Sequence, residues 1–214
     1  MCPFESINIS IEKADYISNW DTLAFGRSYN DLDTPLEMPK APYDHIQIEG
    51  IRNVLSDCED IKYENWTSLD LSERERLLNS LEKQIAVIEY RPACQVKLAP
   101  LDTMQWGGYD PVTKVITINS FYVGQSDLET FREVIDTLIH EGRHAYQDYN
   151  VNMAEVHPRH SEVKSWAECM HGGKWGYWGD CTTQLGLRLY EQQSIEIDAR
   201  NFTEDVLKSF NEKV

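Results

Sequence analysis

The stretch Phe131-Arg-Glu-Val-Ile-Asp-Thr-Leu-Ile-His140-Glu141-Gly-Arg-His144-Ala-Tyr-Gln-Asp-Tyr149 carries His-Glu-x-x-His inside an uninterrupted helical pattern. A helix turns about 100° per residue, so Leu128, Phe131, Ile135, Leu138, Gly142, Ala145 and Tyr149 line up as one apolar stripe. His140 and His144 fall on the opposite side, one turn apart, where two imidazoles can grip a single Zn²⁺. Glu141 then sits beside the ion, placed to take a proton from its water. Gly142 lies within the buried stripe, where it weakens the helix by about 1 kcal/mol relative to Ala. Close approach of another backbone is its expected compensation.

Two histidines do not complete a catalytic zinc site, which needs a third protein ligand and a position open to water. Downstream, Ser194 opens a second amphipathic helix whose apolar stripe is Ile195, Ala199, Phe202, Val206 and Phe210. Glu196 and Asp198 flank that stripe symmetrically, and periodicity does not choose between them. The intervening residues, Val151 to Leu189, hold His157, His160, His171 and the run Gly172-Gly-Lys-Trp-Gly-Tyr-Trp-Gly-Asp180. Such a segment serves equally as a lid over a cleft or as a small second core around Trp166, Trp175 and Trp178. His157, His160, Tyr190 and Arg143 are all candidates to steady a developing oxyanion, and the sequence does not rank them. A Cys169–Cys181 bridge across the glycine-rich segment is one reading of the odd set of five cysteines; reduced thiols are the other.

Upstream of the motif, Ile46 to Cys58 reads as a helix interrupted near Gly50. A stronger helix follows Leu71, with Ser72 and Glu75 as its capping box and Leu77, Leu78, Leu81, Ile85 and Ile88 as its buried stripe. Glu73, Arg74, Glu82 and Lys83 are expected to face water. Ala93 to Leu98 and the β-branched run Val115 to Asn119 read as strands, and Gly107-Gly108-Tyr109 before Asp110-Pro111 predicts a hairpin over residues 104 to 119. The resulting class is α+β: a small, mainly antiparallel sheet backed by helices, with the motif helix and a C-terminal helix bearing the third ligand.

The text His-Glu-Gly-Arg-His-Ala-Tyr-Gln, following strands, resembles the zincin metallopeptidases, especially the compact zincin-like domains of bacterial toxins and effectors. The likeness covers about residues 70 to 210. It implies one Zn²⁺ held by His140, His144 and a glutamate on a later helix. Glu196-x-x-Ala199 is similar to the Glu-x-x-Ala/Ser text of the glutamate-type zincins, which points to Glu196, with Asp198 as a supporting partner or the alternative ligand. Two departures stand. No histidine follows in the metzincin spacing, since Gln147 and Asn150 occupy those places, and Arg200 stands where some gluzincins carry an aspartate. The resemblance also implies that Val115 to Asn119, or its hairpin partner, rims the cleft and takes an extended peptide as an added strand. It implies a protein or peptide substrate and, for a toxin, a neutralising immunity partner.

The bulk numbers are compatible with these expectations. Hydrophobic residues at 41% and aromatics at 11% fit a folded chain of 214 residues. Acidic residues outnumber basic ones by 36 to 20, for a net charge of −16, so nucleic acid is an unexpected partner. No apolar run reaches the roughly 20 residues of a membrane span, and no secretory signal pattern opens the chain. The expected location is the cytoplasm where the protein is made, or export by a route without a cleaved signal. Residues 1–50, with three prolines between Asp31 and Pro42, read as an arm or extension packed on the body, and residues 51–214 as the zincin-like domain. The competing reading is a binding module that keeps the zincin body without cleaving.

Overall fold

A computed structural model describes residues 39–172, 177, 183–208 and 210. Pro39–Val214 forms one compact unit. The expected arm lies, through Met38, outside the described residues. From Pro39 the chain joins the body at once: Ala41 donates to the Val156 carbonyl at 2.7 Å, and Gln47 is buried.

Helix α1, Asp44–Asp57, runs unbroken through Gly50, whose missing side chain lets the Ile88 side chain lie where a Cβ would meet it at 3.2 Å. A short 3-10 turn, Glu59–Ile61, and helix α2, Tyr63–Trp66, lead to α3, Leu71–Ile88. Its capping box is Asp70 with Glu73, two residues earlier than Ser72 with Glu75, because the Asp70 carboxylate accepts from Glu73 N at 2.8 Å and the Glu73 side chain returns to Asp70 N at 2.9 Å. Two charges expected to face water are buried instead. Arg74 donates to the Val123 and Gln125 carbonyls, both at 2.6 Å, and Glu82 pairs with Arg91 and accepts from Cys94 N. A helical charge next to an apolar stripe is buried when the neighbouring chain brings it a partner, and periodicity does not see that partner.

Strands β1, Gln95–Ala99, β2, Gly107–Asp110, and β3, Val115–Asn119, form a three-stranded mixed sheet in the order β1-β3-β2. The β2–β3 pair is the expected antiparallel hairpin, with Tyr109 opposite Ile116; β1 and β3 are parallel, with Val96 opposite Ile116. The sheet is therefore not mainly antiparallel: the loop after β1 carries the chain past β3's place to lay β2 on the far side. Val115–Asn119 is accordingly the central strand, while its partner β2 lies at an edge among the described strands. The turn between them is closed by Asp110, whose carboxylate accepts from Val112 N and the Thr113 hydroxyl, and Lys114 leaves it with φ of 56°.

After the one-turn helix α4, Ser120–Val123, the chain enters α5, Leu128–Asn152, capped by Asp127 accepting from Thr130 N at 2.8 Å. This is the motif helix. Phe131, Ile135, Leu138, Gly142 and Ala145 are buried, but so are Val134, Ile139, Arg143, Tyr146, Gln147, Asp148 and Asn150. Helices α3, α6 (His160–His171) and α8 (Ser194–Leu207) and strands β2 and β3 all pack on it, so it runs through the interior rather than over a surface. Strand β2 is fastened along it: Gly107 has no room for a Cβ, which would meet Thr137 Cγ2 at 2.6 Å, and Tyr109 donates to Asp148 at 2.6 Å. Gly142 proves to be spared a Cβ by side chains, Arg91 Nη2 at 3.1 Å and Glu82 Oε2 at 3.5 Å, not by another backbone.

Among its described residues, the segment between the motif helix and α8 includes the helices α6 and α7 (Gln184–Glu191). Trp166 is a buried part of α6 that packs against His157 and Tyr146. Trp175, Trp178 and Cys181 lie outside the described residues; Cys169 carries a free thiol. No helix among the described residues is long and apolar enough to cross a membrane.

Candidate metal centre

On α5 the residues His140, Glu141 and His144 are only half-buried, so the enclosed helix opens to solvent along the side that bears them. The two rings stand edge to face, with centroids 4.7 Å apart, and their Nε2 atoms converge to 3.0 Å. From α8, the Glu196 carboxylate reaches the same point. Its Oε2 lies 3.5 Å from His140 Nε2 and its Oε1 3.5 Å from His144 Nε2. Ile195, Ala199, Phe202 and Val206 are buried and seat α8 on α5, and this packing brings residue 196 opposite residues 140 and 144 across more than fifty positions of sequence.

Those separations fit an ion. Ligand atoms about 2.0–2.1 Å from a tetrahedral Zn²⁺ lie roughly 3.3 Å from one another. A further observation points the same way: Glu196 Oε1 is buried and, among the described residues, is met by no arginine or lysine and by no donor within ordinary hydrogen-bond geometry, His144 Nε2 facing it at 3.5 Å, a costly state for a carboxylate oxygen unless a cation meets it. Two neutral imidazoles and one carboxylate are also a donor set that suits zinc and leaves a fourth position for water.

Without an ion the cluster holds protons. Burial opposes charge on His144, yet the Glu196 and Glu141 carboxylates and the Gln147 side chain outweigh it and lift its pKa to about 9. Burial likewise opposes charge on Glu196, and the two imidazoles and Tyr190 overcome it, bringing the carboxyl down to about 2. The Tyr190 hydroxyl is pushed well above its ordinary range by burial and then by the neighbouring Glu196 carboxylate. One turn before His140, Asp136 is raised to about 6 by burial and by Glu133.

Asp198 does not reach the two Nε2 atoms. It lies behind them: Gln147 Nε2 donates to Asp198 Oδ2 at 2.7 Å and to the Ile195 carbonyl at 2.9 Å, while Gln147 Oε1 faces His144 Nδ1 at 2.9 Å. Arg143, fully buried, holds Asp198 from the other side through Nε and Nη2 at 2.9 and 3.1 Å, and reaches Asp44 of α1 at 3.1 Å. Its guanidinium lies 4.2 Å from the Phe202 ring centroid. Gln147 escaped the sequence reading because a neutral amide gives no motif signal; its position three residues beyond His144, on the same helical face, was the available sign.

Of the four groups the sequence left unranked, Tyr190 alone stands against Glu196. Arg143 is committed to Asp198 and Asp44. His160 is exposed beside Glu155 at 2.8 Å, and His157 is buried in a second acid–imidazole cluster, Asp44, His157 and Glu162. There His157 Nε2 meets Glu162 at 2.8 Å and Nδ1 meets the Tyr146 hydroxyl at 2.9 Å, while Arg159 pairs with both Glu162 and Asp44. Comparison with protein-family models, with curated proteins and with solved structures gives no match.

Proposed function

We propose that the protein is a zinc-dependent metallopeptidase whose ion is held by His140, His144 and Glu196. The observation that carries this reading is the convergence of two Nε2 atoms and a buried carboxylate that no arginine or lysine meets among the described residues. A bound Zn²⁺ would supply Lewis acidity and lower the pKa of a water toward about 7. Glu141, half-buried and next to His140, takes the proton of the attacking water and passes it to the leaving amine. Tyr190, with its proton held firmly by burial and by Glu196, donates to the developing oxyanion. The outer edge of β2, which pairs with no other strand among the described residues and is fastened along α5 at Gly107 and Tyr109, offers backbone groups to an extended peptide. The substrate is thus a protein or peptide. The resemblance to toxin and effector domains supports a narrow host-protein substrate and a neutralising partner.

Glu141→Gln tests the reading. The variant is expected to keep its zinc and to lose at least about 10²–10⁴-fold in peptide hydrolysis, the range of a general base. An unchanged rate removes Glu141 from the chemistry, and wild-type protein that takes up no zinc leaves a non-catalytic module.

A further inference from the structure

Gln147 is fully buried, and its carboxamide bridges the two helices that carry the proposed ligands. Its orientation follows from its neighbours. The Ile195 carbonyl and the Asp198 carboxylate only accept, so the amide NH₂ must face them. The amide oxygen then faces His144 Nδ1, which must carry a proton to meet it at 2.9 Å. A neutral ring protonated on Nδ1 presents its lone pair on Nε2, the atom that converges on His140 and Glu196. The same amide ties His144 to residues 195 and 198, which bracket Glu196. Asp198, the far end of this link, is in turn held by two nitrogens of buried Arg143.

We propose that Gln147 is the positioning residue of this site: it sets the His144 tautomer and fixes the distance between His144 and Glu196 without touching the ion. The inference rests on the metal reading above and adds to it a residue outside the His-Glu-x-x-His motif. A partner that orients a ligating histidine is worth about 10–100-fold in metal affinity. A buried amide that merely staples two helices is worth stability alone.

The test uses the full chain and zinc, in competition with a chromophoric chelator. Gln147→Met, similar in size and without either hydrogen-bonding end, is expected to bind zinc about 10–100-fold more weakly than wild type. Gln147→Glu retains an acceptor toward His144 when its carboxyl is protonated on the oxygen that faces the Ile195 carbonyl and Asp198, and at a pH that keeps that proton it is expected to retain more of the affinity than Gln147→Met. Zinc affinity unchanged in Gln147→Met, with or without a lower unfolding temperature, overturns the proposal. A second readout is independent of metal. In zinc-free wild type the His144 Nδ1–H proton should exchange slowly in ¹H–¹⁵N spectra, and in Gln147→Met that protection should vanish. Should wild type take up no zinc, the metal reading fails, while loss of Nδ1–H protection in the variant still supports the positioning role. Equal exchange in the two proteins overturns it. If Gln147→Met does not fold, Gln147→Glu carries the test: it must keep the protected Nδ1–H, and loss of that signal sinks the tautomer argument.

Discussion

Among the described residues, two acid–imidazole clusters bring their oxygens and nitrogens close enough to share an ion: His140, His144 and Glu196 on one side of Arg143, and Asp44, His157 and Glu162 on the other. They differ in what else is present. In the second cluster two guanidiniums are interleaved with the acids. Arg143 and Arg159 both pair with Asp44, Arg159 and His157 both pair with Glu162, and the remaining His157 nitrogen meets Tyr146. The negative charge there is already neutralised. In the first cluster no arginine or lysine pairs with Glu196 among the described residues, and its oxygens face only the two imidazole nitrogens at 3.5 Å and the Tyr190 hydroxyl. Proximity of ligand-type atoms is therefore common to both, and what separates a candidate ion site from a buried salt-bridge network is a negative charge met only by titratable imidazoles and by no arginine or lysine among the described residues.

The largest expected effect breaks this comparison directly. Dialysed wild type and Glu162→Gln should each carry one equivalent of zinc by elemental analysis, and His144→Ala none. Zinc lost from Glu162→Gln and kept by His144→Ala would exchange the roles of the two clusters. Next in size, Arg143→Met strips the shared cation from Asp44 and Asp198. Breaking a buried pair by removing one partner costs about 3–5 kcal/mol, and a urea unfolding midpoint close to that of wild type would show that the second cluster does not depend on this charge.

A smaller effect sharpens the contrast between the two imidazoles. His144 has a folded pKa near 9, above its unfolded value, so its contribution to the stability of zinc-free protein is complete below about pH 6.5 and is lost as pH rises to about 9. Burial, and then Arg143, push His157 the opposite way, below its ordinary value, despite the pull of Glu162; its contribution is present above about pH 6.5 and is lost as pH falls. Thermal unfolding of zinc-free protein should thus show a decline toward pH 9 that His144→Ala abolishes. Zinc must displace the His144 proton, so its affinity should climb over that same interval. A flat affinity between pH 6.5 and 9 would contradict the proton-holding account of the cluster.

How much of this was legible in the chain depends on the range of the interaction. The separation of His140 from His144 is a property of one helix, and so is the apolar stripe that seats α8 and leaves Glu196 beside it. Choosing Glu196 over Asp198 required the resemblance to a known family, because both residues flank the stripe equally. What periodicity misjudged were groups whose partner arrives from elsewhere, Arg74 and Glu82 assigned to water; the capping pattern placed the box at Ser72 with Glu75 instead of Asp70 with Glu73, and of the two strands the resemblance offered as a rim, Val115–Asn119 is central and its hairpin partner β2 lies at the edge. Strand order is set by how β1 and β2 lie on either side of β3, and alternation within a strand does not encode its neighbours.

The amino-acid order alone determined which residues share a helical face, where a hairpin turns, and that two imidazoles stand one turn apart, since each of these follows from local backbone geometry. Tertiary packing decided the rest. It buried α5 on most sides, set the Glu196 carboxylate against both histidines, laid the Gln147 amide between His144 and Asp198, and gave Arg143 to Asp44 and Asp198 while leaving Glu196 without a basic side chain beside it. The physical reason is that a buried charge takes its meaning from whichever counter-charge the fold delivers to it, and that delivery spans distances no local pattern records.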